Sequence, residues 1–156
     1  MGMGAHRMNV PEELAEYKLE RAELAIALPP DWKLDEESMK DERWYWPVGL
    51  LKVLARLPIA GDTWLGSGHT MDKQSSFAKD TKLCASLLTG PQGVEEGGEV
   101  CILPEGGEVN FYQVIPLYRE ELAYKLEHGA DTLIDQMAEV SFVVHPDRPS
   151  SIEGRE

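Results

Sequence analysis

Residues 109–130 read VNFYQVIPLYREELAYKLEHGA. Val109 to Leu117 is a strand-forming run rich in β-branched and aromatic side chains. At Tyr118 the period changes. Tyr118, Leu122 and Leu126 recur every four residues, the spacing of one helical face, and Gly129 stands where such a helix closes. Asp131 can cap a second short helix that carries Leu133, Ile134 and Met137 on one side. A strand running directly into paired helices predicts a mixed α+β architecture.

Upstream of this stretch, Val100–Leu103 is a short apolar strand, and Pro104-Glu105-Gly106-Gly107-Glu108 turns the chain so that the two strands form a hairpin with a loop of about five residues. Thr81–Leu88 alternates, with Leu83, Ala85 and Leu87 on one side and Cys84, Ser86 and Leu88 on the other. Between these runs lies a turn-rich acidic insert, TGPQGVEEGGE. Residues 60–80 read as a Gly- and Ser-rich connection broken by Thr63-Trp64-Leu65. Pro47 fits the first position of a helix over Val48–Leu57, apolar except for Lys52 and Arg56, with Pro58 closing it. Glu23–Leu28 alternates as a strand ended by Pro29-Pro30, and residues 31–43 read as a charged surface loop with a helical turn. Residues 12–21 form a short helix or a solvated lead-in, and residues 140–144 a last strand. The fold expected is α+β: a mixed α/β sandwich, its sheet packed with about three helices. It occupies 1–145 as one domain, with 146–156 a disordered tail. Within that tail Ile152-Glu153-Gly154-Arg155 matches a protease site used in expression vectors and is left out of the fold.

Charge bears on partners. The 156 residues carry 28 acids against 15 bases, a formal net charge of −13. The excess lies in residues 1–50 and 101–156, while 51–100 is nearly balanced with 6 acids to 5 bases. A phosphate backbone is repelled by such a surface, so nucleic acid is not the expected partner, whereas a basic protein is attracted and steered. No apolar run approaches the roughly 20 residues that span a bilayer, and no basic-then-apolar leader opens the chain, so neither a membrane partner nor secretion is expected and the cytoplasm is the expected address. Cys84 and Cys101 both fall in strand-like apolar stretches and read as buried, reduced thiols.

Motifs for catalysis are weak. Gly66-Ser67-Gly68-His69-Thr70 is Gly-rich but lacks the lysine of a phosphate loop and the spacing of a nucleophile elbow. His6, His69, His128 and His145 form no metal-ligand spacing, so no metal site and no cofactor are expected. An enzyme would have to use His69 with an acid such as Asp62 or Asp72. Glu120-Glu121 sits in the first turn of its helix, where the dipole favours negative charge without any catalytic role. The informative feature is aromatic: Trp32, Trp44, Tyr45, Trp46 and Trp64 fall within 33 residues. They build the core, or they form a binding surface of the kind Trp and Tyr dominate. His69 beside them satisfies buried loop groups, or donates to a partner's backbone.

Four blocks in series carry a resemblance. They are Leu28-Pro29-Pro30-Asp31-Trp32; Trp46-Pro47 with Leu50-Leu51 and Leu54-Ala55-Arg56; Asp62-Thr63-Trp64-Leu65-Gly66 with Gly68-His69-Thr70; and Asn110-Phe111-Tyr112-Gln113 with Ile115-Pro116-Leu117-Tyr118 and Glu120-Glu121. Over about residues 20–135 the sequence closely resembles the bacterial suppressor of fused-like domain family. The resemblance implies a mixed α/β sandwich without a catalytic site. Eukaryotic relatives are adaptors that sequester transcription factors in Hedgehog signalling, and bacterial relatives include immunity proteins that neutralise toxins. Where eukaryotic relatives carry an aromatic after Leu-Ala-Arg and an Asp before the histidine, this chain has Leu57 and Gly68, so their peptide contact is not carried over. What the resemblance implies is a location, the groove between the 47–57 helix region and the 62–70 loop, with Trp44, Trp46, Trp64, Gly68 and His69 as candidate protein-binding residues. The partner expected is another protein, such as a basic toxin, and the runner-up partner is a second copy. The family pattern also places earlier strands before residues 2–11. A domain missing them would expose a sheet edge through which it dimerises.

Overall fold

The structure, a computed structural model, describes residues 6–61, 63–73, 75–79, 81–90, 100–137 and 144. These form five strands, β1 (Ala22–Ala25), β2 (Thr70–Asp72), β3 (Ala85–Thr89), β4 (Val100–Ile102) and β5 (Glu108–Leu117), and three α-helices, α1 (Glu42–Gly61), α2 (Arg119–His128) and α3 (Ala130–Met137). The strands make one mixed sheet in the order β1-β5-β3-β2, with β4 also paired to β5. The α+β class expected from the sequence is the class observed. The chain divides into two compact units, one of residues 1–25, 48–69 and 88–114 and one of residues 26–47, 70–87 and 115–156.

In the first unit β1 runs parallel to β5, Ala22 opposite Asn110 and Ala25 opposite Gln113. β4 runs antiparallel to it, Val100 opposite Asn110 and Ile102 opposite Glu108. The hairpin closes through Leu103–Gly107, where Leu103 N–H donates to Gly107 O at 2.7 Å and Gly106 takes φ +92°, a left-handed value that costs glycine little. Lys18 also adopts a positive φ of 55°. The Asn110 side-chain amide donates to Lys18 O at 2.9 Å and Lys18 Nζ donates to Gly106 O at 3.1 Å, so the hairpin holds that strained residue at both ends.

In the second unit β2 pairs antiparallel with β3, Thr70 opposite Leu87 and Asp72 opposite Ala85. Alternation puts Ala85 and Leu87 of β3 and Ile115 and Leu117 of β5 toward one face. There they pack with Leu122 of α2 and with Leu133 and Met137 of α3, while Tyr124, Ala130 and Ile134 close the margin. Each fully buried leucine in such a cluster contributes about 1.5–3 kcal/mol of transfer free energy. Pro116 is tolerated inside β5 because Leu117 turns its carbonyl to Cys84 N–H at 2.9 Å. The missing proline donor therefore points the other way, past the end of the short β1. Val144, the one described residue of the expected 140–144 strand, donates its N–H to Ala27 O at 2.8 Å; the rest of that strand, the insert at 91–99 and the expected tail lie outside the described residues.

Five expectations need correction. The strand expected over Thr81–Leu88 begins only at Ala85 and runs to Thr89. The helix starts at Glu42, not at Pro47, because Asp41 Oδ1 accepts the Arg43 N–H at 3.0 Å and caps it. It then runs through both Pro47 and Pro58 to Gly61. Trp46, Leu50 and Leu54 form a buried i, i+4 stripe and both prolines are buried beside it, which offsets the lost donors. β1 ends at Ala25, three residues before the expected Leu28. A short strand, β2, lies in the stretch read as a connection. Cys84 is buried as expected, but Cys101 is exposed, because β4 lies on the hairpin with its side chains largely in water.

Burial raises the pKa of the Cys84 thiol, partly countered by Arg119, and burial raises that of the Tyr112 phenol. Both groups stay neutral in the fold at a pH where the unfolded chain ionises them. Their contribution is complete below the ordinary values near 9 and 10 and is lost as pH rises through the folded ones. Denaturant midpoints measured from pH 7 to 11 are expected to hold to about pH 8.5 and then to fall. A Tyr112→Phe variant is expected to fall less steeply above pH 10.

Candidate functional site

The segment before α1 builds an aromatic cluster. Asp35 opens it: Ser38 N–H and Oγ–H donate to the Asp35 carboxylate at 2.9 and 2.7 Å, and these bonds hold its pKa below the usual carboxylate value. The chain then turns through a 3-10 helix at Ser38–Lys40 into the Asp41 cap. Trp32 is buried and donates its indole N–H to Trp44 O at 3.0 Å. Its ring meets Trp44 edge-on at 5.2 Å and Trp46 edge-on at 6.2 Å, and Trp46 stacks on Phe77 at 5.0 Å with 2° between the planes. Both are favoured aromatic geometries. Trp46 is 4% exposed and its indole nitrogen has no hydrogen-bond partner among the described residues. Trp44 is only half-buried, with Lys33 Nζ and Arg43 Cζ each 5.4 Å from its ring centre. An open depression of about 580 Å³ lies against it, walled by Glu37, Asp41 and Glu42 with Lys40 and Lys79.

The other aromatic candidates belong to the first unit. Gly66 O accepts the His69 N–H at 3.1 Å, and Gly68, third in that turn, has φ +88°, the signature of a type II turn. The Gly66 N–H donates to His69 Nδ1 at 3.1 Å, which fixes the ring proton of neutral His69 on Nε2. Trp64 lies edge-on to the imidazole at 4.5 Å, and a Cβ on Gly66 would stand 2.8 Å from the Trp64 ring. Gly68 N–H donates to Leu88 O at 2.7 Å and Leu88 N–H to His69 O at 2.9 Å, extending the ladder of β3 into the turn. The glycines of this block are thus explained by a ring packed against one and a left-handed turn at the other.

Of the five residues singled out from the sequence, Trp44 and Trp46 join one cluster and Trp64, Gly68 and His69 join one turn. His69 satisfies a loop donor, one of its two expected roles. For the catalytic reading, Asp72 is already held by Arg119 in two hydrogen bonds of 3.0 and 3.1 Å, and Asp62 lies outside the described residues. Among the described residues no three His, Cys, Asp or Glu side chains gather as a metal site, and no helix is long and apolar enough to cross a membrane. Sequence reasoning missed the depression, although the acids and lysines of 31–43 beside Trp44 were its visible signal.

The sequence model of the suppressor of fused protein (SUFU) matches residues 1–149. The chain belongs to the SUFU family. No curated protein matches its sequence. Among solved structures, this SUFU chain is similar to one in the crystal structure of the Sufu–Fu complex, with a TM-score of 0.61 at 17% identity, covering 95% of this chain and 56% of that one. It is similar to Drosophila Suppressor of Fused, with a TM-score of 0.60 at 17% identity, covering 95% of this chain and 31% of that one. The SUFU homolog from Neisseria gonorrhoeae FA 1090 aligns with a TM-score of 0.54 at 16% identity, covering 69% of this chain and 57% of that one. At these identities the likeness is one of fold, and this chain spans only about a third to just over half of each of those proteins.

Proposed function

We propose that this SUFU chain is a protein-binding domain with no reactive centre of its own, and that its partner is a basic protein, a toxin that it neutralises. The observation that carries the reading is Trp44: a half-exposed indole on the wall of an open depression lined by acids and lysines, held by a buried cluster behind it. A rigid aromatic with water on one side and a packed base on the other has the form of an interface hot spot. The net charge of −13 favours a cationic partner and speeds its approach, while at the depression itself Glu37 is paired with Lys40 and Asp41 with Arg43. The turn that carries Trp64, Gly68 and His69 is a second candidate contact, stiffened by its own hydrogen bonds. One of the similar structures is that of the Sufu–Fu complex, a precedent for polypeptide binding on this fold.

Calorimetric titration with any basic protein that a gene neighbouring its own encodes tests this. Binding is expected to weaken as salt rises, and Trp44→Ala to weaken it at least tenfold, about 1.4 kcal/mol. A neighbour that does not bind removes the toxin reading. Binding that Trp44→Ala leaves unchanged removes the depression as the site.

A further inference from the structure

We propose that the outer edge of β4 pairs with the same edge of a second copy, in a two-fold antiparallel register centred on Cys101. The hairpin geometry leads to this register. Leu103 N–H bonds Gly107 O, which makes 103 and 107 a hydrogen-bonded pair of the β4–β5 ladder. Antiparallel pairs alternate between bonded and non-bonded. Cys101 and Val109 are therefore bonded to each other, while Val100 and Ile102, opposite Asn110 and Glu108, turn their N–H and C=O groups away from β5. The Asn110 N–H accordingly goes to Arg21 O on the far side. Among the described residues no strand other than β5 pairs with β4.

That outer edge is complementary to itself. Placed antiparallel about a two-fold axis at Cys101, Val100 of one copy faces Ile102 of the other, and the two pairs exchange about four backbone hydrogen bonds. Ile102 is 71% exposed, more than any other large apolar side chain among the described residues, and pairing sets it beside Val100 of the second copy. The two Cys101 side chains meet as a non-bonded pair with Cα atoms about 4.5 Å apart, inside the range a disulfide accepts. Three residues of edge give a weak, reversible contact, and the like charge of the copies opposes it. Added salt screens that repulsion, so this association strengthens with salt, opposite in sign to a contact made by charge attraction.

Cys101 reports on the register. With diamide as the oxidant, which takes up the two protons and two electrons of the thiol pair, wild-type protein is expected to form a dimer that Cys101→Ser abolishes. Ile102→Lys is expected to slow that cross-linking at least tenfold while a small thiol reagent labels Cys101 at an unchanged rate. Sedimentation of the Cys101→Ser protein is expected to show a monomer–dimer equilibrium that shifts toward dimer from 50 to 500 mM salt and is lost on adding Ile102→Lys. A Cys101→Ser protein that stays monomeric at millimolar concentration overturns the proposal, and so does cross-linking that Ile102→Lys does not slow.

Discussion

Replacing Glu121 with alanine is expected to cost about 2 kcal/mol, the sum of a lost capping interaction and an unpaired buried donor. The melting temperature is then expected to fall by about 4–8 °C for a chain of this size. The Tyr118 N–H donates to Glu121 Oε1 at 2.8 Å, and the Glu121 N–H donates to Tyr118 O at 3.1 Å. The side chain of Glu121 is fully buried. Water cannot take the place of the lost oxygen there, so the Tyr118 donor, itself 9% exposed, is stranded. Glu121→Gln keeps an acceptor at the same reach and is expected to lose less than half as much. Thermal denaturation of the two variants side by side checks this. Equal losses would assign the effect to the charge rather than to the hydrogen bond. Glu120 is exposed, and Glu120→Ala is expected to change little.

That contrast shows what the sequence discloses and what it withholds. Glu120 and Glu121 are indistinguishable as letters, and the helix dipole accounts equally for both. Only the direction of the second carboxylate, back toward the end of β5, makes it structural. The long features were legible because many residues vote together: β5 is a run of β-branched and aromatic side chains, α2 closes at Gly129, and α3 buries Leu133 and Met137. Even so, α3 starts at Ala130, ahead of the expected cap Asp131, and Leu126 of the expected α2 face is 70% exposed. β2 was not legible. Three residues, Thr70–Asp72, carry no period, and their strand conformation comes from β3 beside them. The start of α1 was hidden by a competing signal. Proline at a first turn is a common pattern, but Asp41 offers a side-chain oxygen six residues earlier and the buried stripe that follows makes the longer helix the better one. Cys101 was misjudged because apolar neighbours in sequence do not fix which face of a three-residue strand is covered. For the candidate site, the tryptophans were legible as a group, but their division into core and surface was not, since it depends on which ring stacks on Phe77.

Trp46→Ala and Trp44→Ala should separate those two roles. Trp46 is nearly inaccessible and stacked on Phe77, and its removal leaves a cavity the size of an indole, expected to cost about 3–5 kcal/mol. Trp46→Phe keeps an aromatic ring against Phe77 and deletes an indole N–H that has no acceptor among the described residues, so it is expected to cost less than half as much as alanine. Trp44 contributes an edge-on ring contact with Trp32 and a backbone carbonyl that accepts the Trp32 indole N–H, and alanine retains the carbonyl. Urea unfolding of Trp44→Ala is therefore expected to show a loss of about 1 kcal/mol or less, the value of one edge-on ring contact. The partner-binding defect expected of Trp44→Ala then belongs to a folded protein. A Trp44→Ala protein as unstable as Trp46→Ala would make both rings core and would leave the depression without its anchor.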